Sequence, residues 1–96
     1  MRGFADPAPA RFFQEGVVPR RAGWRSVARV ARRELDMLDY AHVLTDLASP
    51  PGNHLEALKG DLAGSHSIRV SDQWRVVFRW REGGAEDVRI VDYHRG

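Results

Sequence analysis

The chain has 96 residues and a mass of 10.9 kDa, a length that supports one small hydrophobic core. It has no cysteine and 43% hydrophobic residues, which excludes a disulfide-stabilised scaffold, a cysteine zinc ribbon and a wholly disordered chain. The formal net charge of +2 does not by itself indicate a nucleic-acid-binding protein. We therefore expect one globular domain over residues 1–96.

The charges are segregated along the chain. Residues 1–33 carry eight arginines and two acidic residues, whereas residues 34–96 carry seven basic and eleven acidic residues. Fourteen of the fifteen basic residues are arginine, which suits bidentate contacts to phosphate or carboxylate, although a GC-rich coding sequence would give the same excess. No signal-peptide core or membrane-spanning window occurs, so we expect a cytoplasmic protein.

The first half of the chain predicts helices. Phe4–Gly16 indicates a short helix that Pro7 and Pro9 set off and Gly16 ends, and residues 17–23 form a loop. Trp24–Ala41 indicates a longer helix, because its apolar residues fall in one arc at helical spacing. These apolar residues are Val27, Val30, Ala31, Leu35, Met37, Leu38 and Ala41. The opposite side carries an arginine stripe, formed by Arg25, Arg29, Arg32 and Arg33.

One charged residue contradicts this helical pattern. Glu34 lies inside the apolar arc, which indicates either a pairing partner at that position or a wrong helical phase. Leu44–Leu47 predicts a further helical turn, and the prolines and glycine of Ser49–Asn53 end the helical half.

The second half changes to a period of two, which is typical of strands with one apolar face. The pattern predicts a short strand between Leu55 and Leu58, then strands at Ile68–Val70, Trp74–Arg81 and Val88–Tyr93. The polar connections Ser71–Gln73 and Glu82–Gly84 have hairpin length, so neighbouring strands should be antiparallel. The predicted fold class is α+β, with two or three N-terminal helices packed on a C-terminal antiparallel sheet of about four strands.

Known catalytic motifs are absent from the sequence. There is no P-loop, GxGxxG, GxSxG or HExxH, and the four histidines lack helical metal-ligand spacing. Polar residues at predicted strand ends remain as candidates: Lys59, Arg69, Arg75 and Asp92–His94. Taken alone, each also fits a turn, a solvated face or a polar strand end. Asp92 and His94 would supply only two metal ligands, so we expect no metal site.

Four segments together carry a family resemblance. They are Pro50–Asn53, Leu55–Asp61, Ser67–Val70 together with Asp72–Arg75, and Val91–His94. In residue type and spacing these segments resemble the HigB/GraT toxins of the RelE superfamily. The resemblance is close over residues 50–94, whereas residues 1–49 agree only in layout, and it implies the RelE-like arrangement of helices on a sheet.

The resemblance also implies a function and its partners. Such toxins are ribosome-dependent endoribonucleases that cut mRNA in the ribosomal A site without a metal or another cofactor. A HigA-like antitoxin with a helix-turn-helix domain holds them inactive and connects them indirectly to operator DNA. The alternatives are a catalytically weak or inactive toxin homologue that acts as an antitoxin-binding partner and transcriptional co-regulator, and an interaction domain with no nucleic-acid role.

The resemblance assigns roles to the candidate residues. His94 would act as general acid or base, because imidazole titrates near neutral pH. Asp92 would orient His94 or share the proton transfer, and Tyr93 would contact the phosphate or the 2′-hydroxyl, or stack on a base. Cations that neutralise the phosphate would be Lys59, Arg69 and Arg75.

The chain departs from the family pattern at several places, including Tyr40 and His42, which replace small residues expected after Leu38-Asp39. Glu56 occupies a position where some relatives have a histidine, and His54 stands where an arginine is frequent. We assign His54 to RNA binding, and whether it also replaces the missing imidazole stays open. Arg95 and Gly96 follow His94, so the histidine does not end the chain. The arginine stripe has three interpretations: contact with ribosomal RNA, contact with an acidic antitoxin surface, or solvation.

Overall fold

The computed structural model describes residues 1–93, which form helices followed by strands. The two α-helices are α1 (Pro7–Glu15) and α2 (Ala28–Tyr40). The strands are β1 (Glu56–Ala57), β2 (Ser65–Arg69), β3 (Trp74–Arg81) and β4 (Gly84–Asp92). They form one antiparallel sheet in the order β1-β2-β3-β4. The predicted α+β fold is therefore confirmed.

The two faces of the sheet have different roles. On one face, Ile68, Val76 and Phe78 are fully buried against the helices, as the period of two predicts. We call the opposite side the arginine face. It carries Arg69, Arg75, Arg79 and Arg89, which alternate with core residues along β2, β3 and β4.

Helix α1 begins and ends as its sequence predicts. Gly16 terminates it in the left-handed backbone conformation, with a φ of 75°. The backbone N–H of Gly16 donates to the carbonyl of Phe12, as is common at the C-terminus of an α-helix. Pro7 and Pro9 do not precede the helix but lie in its first turn. Proline is tolerated there because the first N–H groups of a helix have no intrahelical partner.

The predicted helix over Trp24–Ala41 is divided in two. A 3₁₀ turn covers Gly23–Val27, and α2 begins only at Ala28. In a 3₁₀ turn, residues three apart share one side, so Trp24 and Val27 both face the core, where Trp24 lies 4.9 Å from the ring of Phe12 between centroids. The sequence pattern missed this boundary because the same residues also fit an α-helical arc.

The loop between α2 and the sheet is held by a buried amide. The predicted helical turn is a 3₁₀ segment, Leu44–Ala48. After it, the side-chain amide of the buried Asn53 donates to the carbonyls of Leu47 and Ser49 at 3.1 and 3.3 Å. These bonds fix the path of the chain immediately before His54.

The β3-β4 hairpin is longer than predicted. Its turn is Glu82-Gly83, both at positive φ (47° and 77°), as a type I′ turn requires. Strand β4 starts at Gly84 instead of Val88, because backbone pairing with β3 extends beyond the apolar alternation. The pairing shifts between Val77 and Arg79, and Asp87, at φ 51°, is the extra residue of this β-bulge.

An N-terminal segment covers the outer edge of the first half of β4, which the sequence did not predict. The backbone N–H of Arg2 donates to the carbonyl of Ala85 at 2.6 Å, and that of Ala5 donates to the carbonyl of Val88 at 2.9 Å. Phe4 pairs in parallel with Val88. Within residues 1–93, no helix combines the length and apolar character needed to cross a bilayer.

Glu34 is buried in the core at only 1% exposure, so the helical phase was predicted correctly. Its Oε1 accepts no hydrogen bond from the residues described. Burial raises the pKa of Glu34 to about 7, and the positive charges of Arg33 and Arg75 oppose this rise. Near neutral pH, the fold therefore retains a proton on Glu34 that the unfolded chain releases.

We expect Glu34→Gln to remove a pH dependence of stability. Between the ordinary pKa of 4.5 and the raised value of about 7, the folded state binds more protons, so the wild-type free energy of unfolding falls as pH rises. The total loss is about 3 kcal/mol. Urea titrations across this range should show the fall in the wild type and a flatter profile in Glu34→Gln. The exposed Glu15→Gln variant is the control, and an equal slope in all three proteins would contradict the assignment.

Candidate functional site

An open cleft of about 650 Å³ lies at one end of the arginine face. It is bounded by the loop between β2 and β3, the start of β3 and the residue that follows β4. The residues that line this first cleft are His54, Arg69, Ser71, Asp72, Gln73, Arg75 and Tyr93. Four of the predicted site residues, His54, Arg69, Arg75 and Tyr93, are therefore brought together.

Arg75 is the central contact of the first cleft. Its Nη1 donates to the Ser67 hydroxyl at 3.1 Å and to the His54 carbonyl at 3.3 Å. The same nitrogen lies 3.0 Å from Glu56 Oε1, a contact that is an ion pair without an aligned hydrogen bond. With a side chain only 11% exposed, Arg75 is a buried, paired cation and not part of a solvated face.

The guanidinium of Arg75 also supports an aromatic ring. Its Cζ lies 4.7 Å from the centroid of the Tyr93 ring, within the range of a cation–π contact. The backbone N–H of Tyr93 donates to the carbonyl of Gln73 at 2.6 Å. The side-chain amide of Gln73 in turn donates to Asp92 Oδ2 at 3.1 Å. The β2–β3 loop thus holds the end of β4 in position.

Arg69 is paired in a different environment. It forms an ion pair with Asp72, whose side chain is 96% exposed. The loop that carries Asp72 is shaped by Ser71, whose hydroxyl accepts the backbone N–H groups of Gln73 and Trp74 at 3.2 and 3.1 Å. Because solvent screens exposed ion pairs, an incoming anion can compete with Asp72 for Arg69 more easily than with Glu56 for Arg75.

The remaining predicted residues have separate positions. Asp92 ends β4 and contacts the first cleft through Gln73. Lys59 does not line that cleft, because it follows β1 at the opposite end of the β1-β2 pair and precedes the 3₁₀ turn Gly60–Leu62. His94 lies outside the described residues.

Several cleft residues were not predicted as functional. The sequence predicts Ser71, Asp72 and Gln73 as a hairpin connection, and Glu56 as a departure from the family pattern. Asp72, Gln73 and Glu56 also lie in segments that carry the resemblance, but it assigns none of them a role. The loop is polar and adjoins two candidate arginines in sequence, which is the signal that could have indicated a site. No comparable signal exists for the pairing of Glu56 with Arg75, because it depends on the register of three strands.

The side chains of the first cleft are suited to bind an anion and to exchange protons with it. The cleft combines guanidinium groups, an imidazole, a phenol and a serine hydroxyl, which are donors for phosphate oxygens and groups able to move protons. Within the described part of the chain, no three His, Asp or Glu side chains gather into a metal-binding cluster.

We expect the two ion pairs of the first cleft to differ in their contribution to stability. Glu56→Gln leaves the buried guanidinium of Arg75 without its anion and should lower the free energy of unfolding by about 1–2 kcal/mol. Asp72→Asn is the matched control, and because this pair is exposed it should cost less than about 0.5 kcal/mol. Urea denaturation of both variants measures the difference, and equal losses would contradict the buried role of Arg75.

Comparison with known proteins gives consistent results. A family model for the RelE-like toxin of the type II toxin-antitoxin system HigB matches residues 2–94. Toxin HigB-1 of Vibrio cholerae is 45% identical over 70 residues, which is 73% of each chain. An uncharacterized protein of Haemophilus influenzae is 35% identical over 87 residues, covering 91% of this chain and 85% of its own length. The chain therefore belongs to the HigB-like, RelE-like toxins of type II toxin-antitoxin systems.

Proposed function

We propose that this toxin is a ribosome-dependent endoribonuclease that cleaves mRNA without a metal. The observation that carries the proposal is the first cleft, where guanidinium, imidazole and phenol groups meet on one face of a rigid sheet. RNA cleavage by transesterification needs a proton acceptor, a proton donor and positive charge at the phosphate. The first cleft contains guanidinium, imidazole and phenol groups of this kind, and we propose His94 as a further proton donor or acceptor.

The proposed reaction is a phosphoryl transfer within the RNA. The 2′-oxygen forms a bond to the adjacent phosphorus, and the bond from phosphorus to the 5′-oxygen of the next nucleotide breaks. A base accepts the proton of the 2′-hydroxyl, and an acid returns a proton to the 5′-oxygen. The products are a 2′,3′-cyclic phosphate and a 5′-hydroxyl end.

We assign each of these tasks to a residue. His94 is proposed as general acid or base, and Asp92 as the residue that orients it. Tyr93 hydrogen-bonds the phosphate or the 2′-hydroxyl, or stacks on an unstacked base. Arg69 binds the phosphate directly, because its exposed carboxylate partner is easily replaced.

The other cations act from greater depth or distance. Arg75 contributes its charge from beneath Tyr93 while it remains paired with Glu56. His54 contacts RNA at the rim of the cleft, where its side chain is exposed. Lys59 supplies positive charge from the segment after β1, outside the first cleft.

The partners of this toxin are an antitoxin and, as we propose, operator DNA and mRNA. A toxin of a type II system has an antitoxin. We propose that this antitoxin is HigA-like, with a helix-turn-helix domain, and that it connects the toxin indirectly to operator DNA. mRNA on the ribosome is the proposed substrate.

Cleavage of ribosome-bound mRNA tests the proposal. Wild-type protein should cut mRNA on programmed ribosomes, with the sites mapped by primer extension. His94→Ala should reduce the rate by about 100-fold or more, the usual contribution of a general acid or base. His42→Ala is the matched control, because it removes an exposed histidine near the end of α2 and outside the first cleft.

Other outcomes separate the alternatives. A folded His94→Ala variant with full activity would contradict the role of His94. A wild-type protein that binds its antitoxin but leaves mRNA intact would contradict catalysis. That result would support the alternative of an inactive toxin homologue that serves as antitoxin-binding partner and transcriptional co-regulator.

A further inference from the structure

The arginine face contains a second cleft, which shares no lining residue with the first. Its volume is about 290 Å³, and it lies where the 3₁₀ turn Gly60–Leu62 approaches β3 and β4. Arg79 from β3 and Arg89 from β4 line it, and Asp61 and Asp87 contribute carboxylates. It is therefore a separate concave surface on the same side of the sheet.

Within the part of the chain that the structure describes, the two arginines of the second cleft have no carboxylate partner. Both arginines of the first cleft are in ion pairs. Across residues 1–93, by contrast, neither Arg79 nor Arg89 forms an ion pair. Arg79 donates to the carbonyl of Ala63 at a long 3.5 Å, and Arg89 Nε is buried without a hydrogen-bond partner. Both side chains line the cleft, so their positive charge, which no carboxylate of residues 1–93 neutralises in an ion pair, can attract an anionic ligand.

The strand register aligns the two clefts. Arg89 lies opposite Val77, and Arg75 lies opposite Val91, so Arg89 is a diagonal neighbour of Arg75 at about 7–8 Å between backbones. Arg79 lies four residues beyond Arg75 on the same strand, which corresponds to about 13 Å. Asp87, at the β-bulge, lines the second cleft beside Arg89. A single RNA strand could therefore cross from one cleft to the other within a few nucleotides.

We propose that the second cleft binds a flanking nucleotide of the same RNA whose phosphate reacts in the first cleft. Arg79 and Arg89 contact its backbone phosphate. The carboxylates of Asp61 and Asp87 accept hydrogen bonds from ribose hydroxyl or base amino groups, which favours a ribonucleotide over a bare phosphate. This inference rests on the proposed function, because it takes the first cleft as the reacting site.

The salt dependence of RNA binding tests the second cleft. The probe is a fluorescent single-stranded oligoribonucleotide, titrated by anisotropy at several salt concentrations, with RNA integrity checked on a gel. Arg79→Gln and Arg89→Gln should each reduce the slope of log affinity against log salt, by about 0.7 for one lost phosphate contact. Both variants should also lose the gain in affinity that the wild type shows when the RNA is lengthened from a dinucleotide to a hexanucleotide.

Arg81→Gln is the matched control. It removes the same charge from the same strand, but Arg81 is paired with Glu86 at 3.3 Å and lies outside both clefts, so its salt slope should equal that of the wild type. Arg79 is exposed, so its variant remains informative if Arg89→Gln fails to fold. Arg89→Lys should retain the slope, because it keeps the charge.

Two results would overturn the inference. In the first, Arg79→Gln and Arg89→Gln keep the wild-type salt dependence and the wild-type length dependence of RNA affinity, whereas Arg69→Gln shows a reduced salt dependence. This result would remove the second cleft from RNA binding and leave the proposed function standing. The second is wild-type binding that does not depend on salt or length. Cleavage on ribosomes, measured in parallel, would then decide the proposed function independently.

Discussion

The buried guanidinium of Arg75 is the interaction on which the site depends. It joins Glu56 of β1, Ser67 of β2, the carbonyl of His54 and the ring of Tyr93 after β4. Its Nη1 makes the three polar contacts while the guanidinium carbon lies over the ring, so the ends of these elements are positioned together. The first cleft exists where they meet, and its geometry should therefore change as a unit when Arg75 loses a partner.

The fold could be predicted where one side of an element is apolar. The arc of α2 and the alternation of β3 gave the correct faces, since burial on one side imposes a period. Glu34 contradicted the pattern because a carboxyl can be buried when it keeps its proton. The pairing of Phe4 with β4 left no signal, because it depends on backbone hydrogen bonds that any sequence can form.

Part of the site could also be predicted, because polar residues mark the ends of the apolar strands. Polar residues at strand ends indicated Arg69, Arg75 and Tyr93, and the antiparallel sheet brings these ends together. The resemblance groups Lys59 with these residues, but Lys59 lies outside the first cleft. Because β1 and β2 are antiparallel, Lys59 follows β1 near the start of β2, whereas Arg69 ends β2. Which arginines of residues 1–93 form ion pairs could not be fully predicted, since the pairing of Arg75 with Glu56 depends on the register of β1, β2 and β3.

The edges of the sheet restrict how another protein chain can attach. Along the first half of β4, residues 2–5 already hydrogen-bond the outer backbone groups of Ala85 and Val88, and on the other side of the sheet β1 offers only Glu56 and Ala57. β-Augmentation, in which a partner's strand extends a sheet through main-chain bonds, therefore finds a blocked edge at the start of β4 and a very short one at β1. A partner strand that pairs with the start of β4 has to displace residues 2–5, so the chain's own N-terminal segment competes with any such partner.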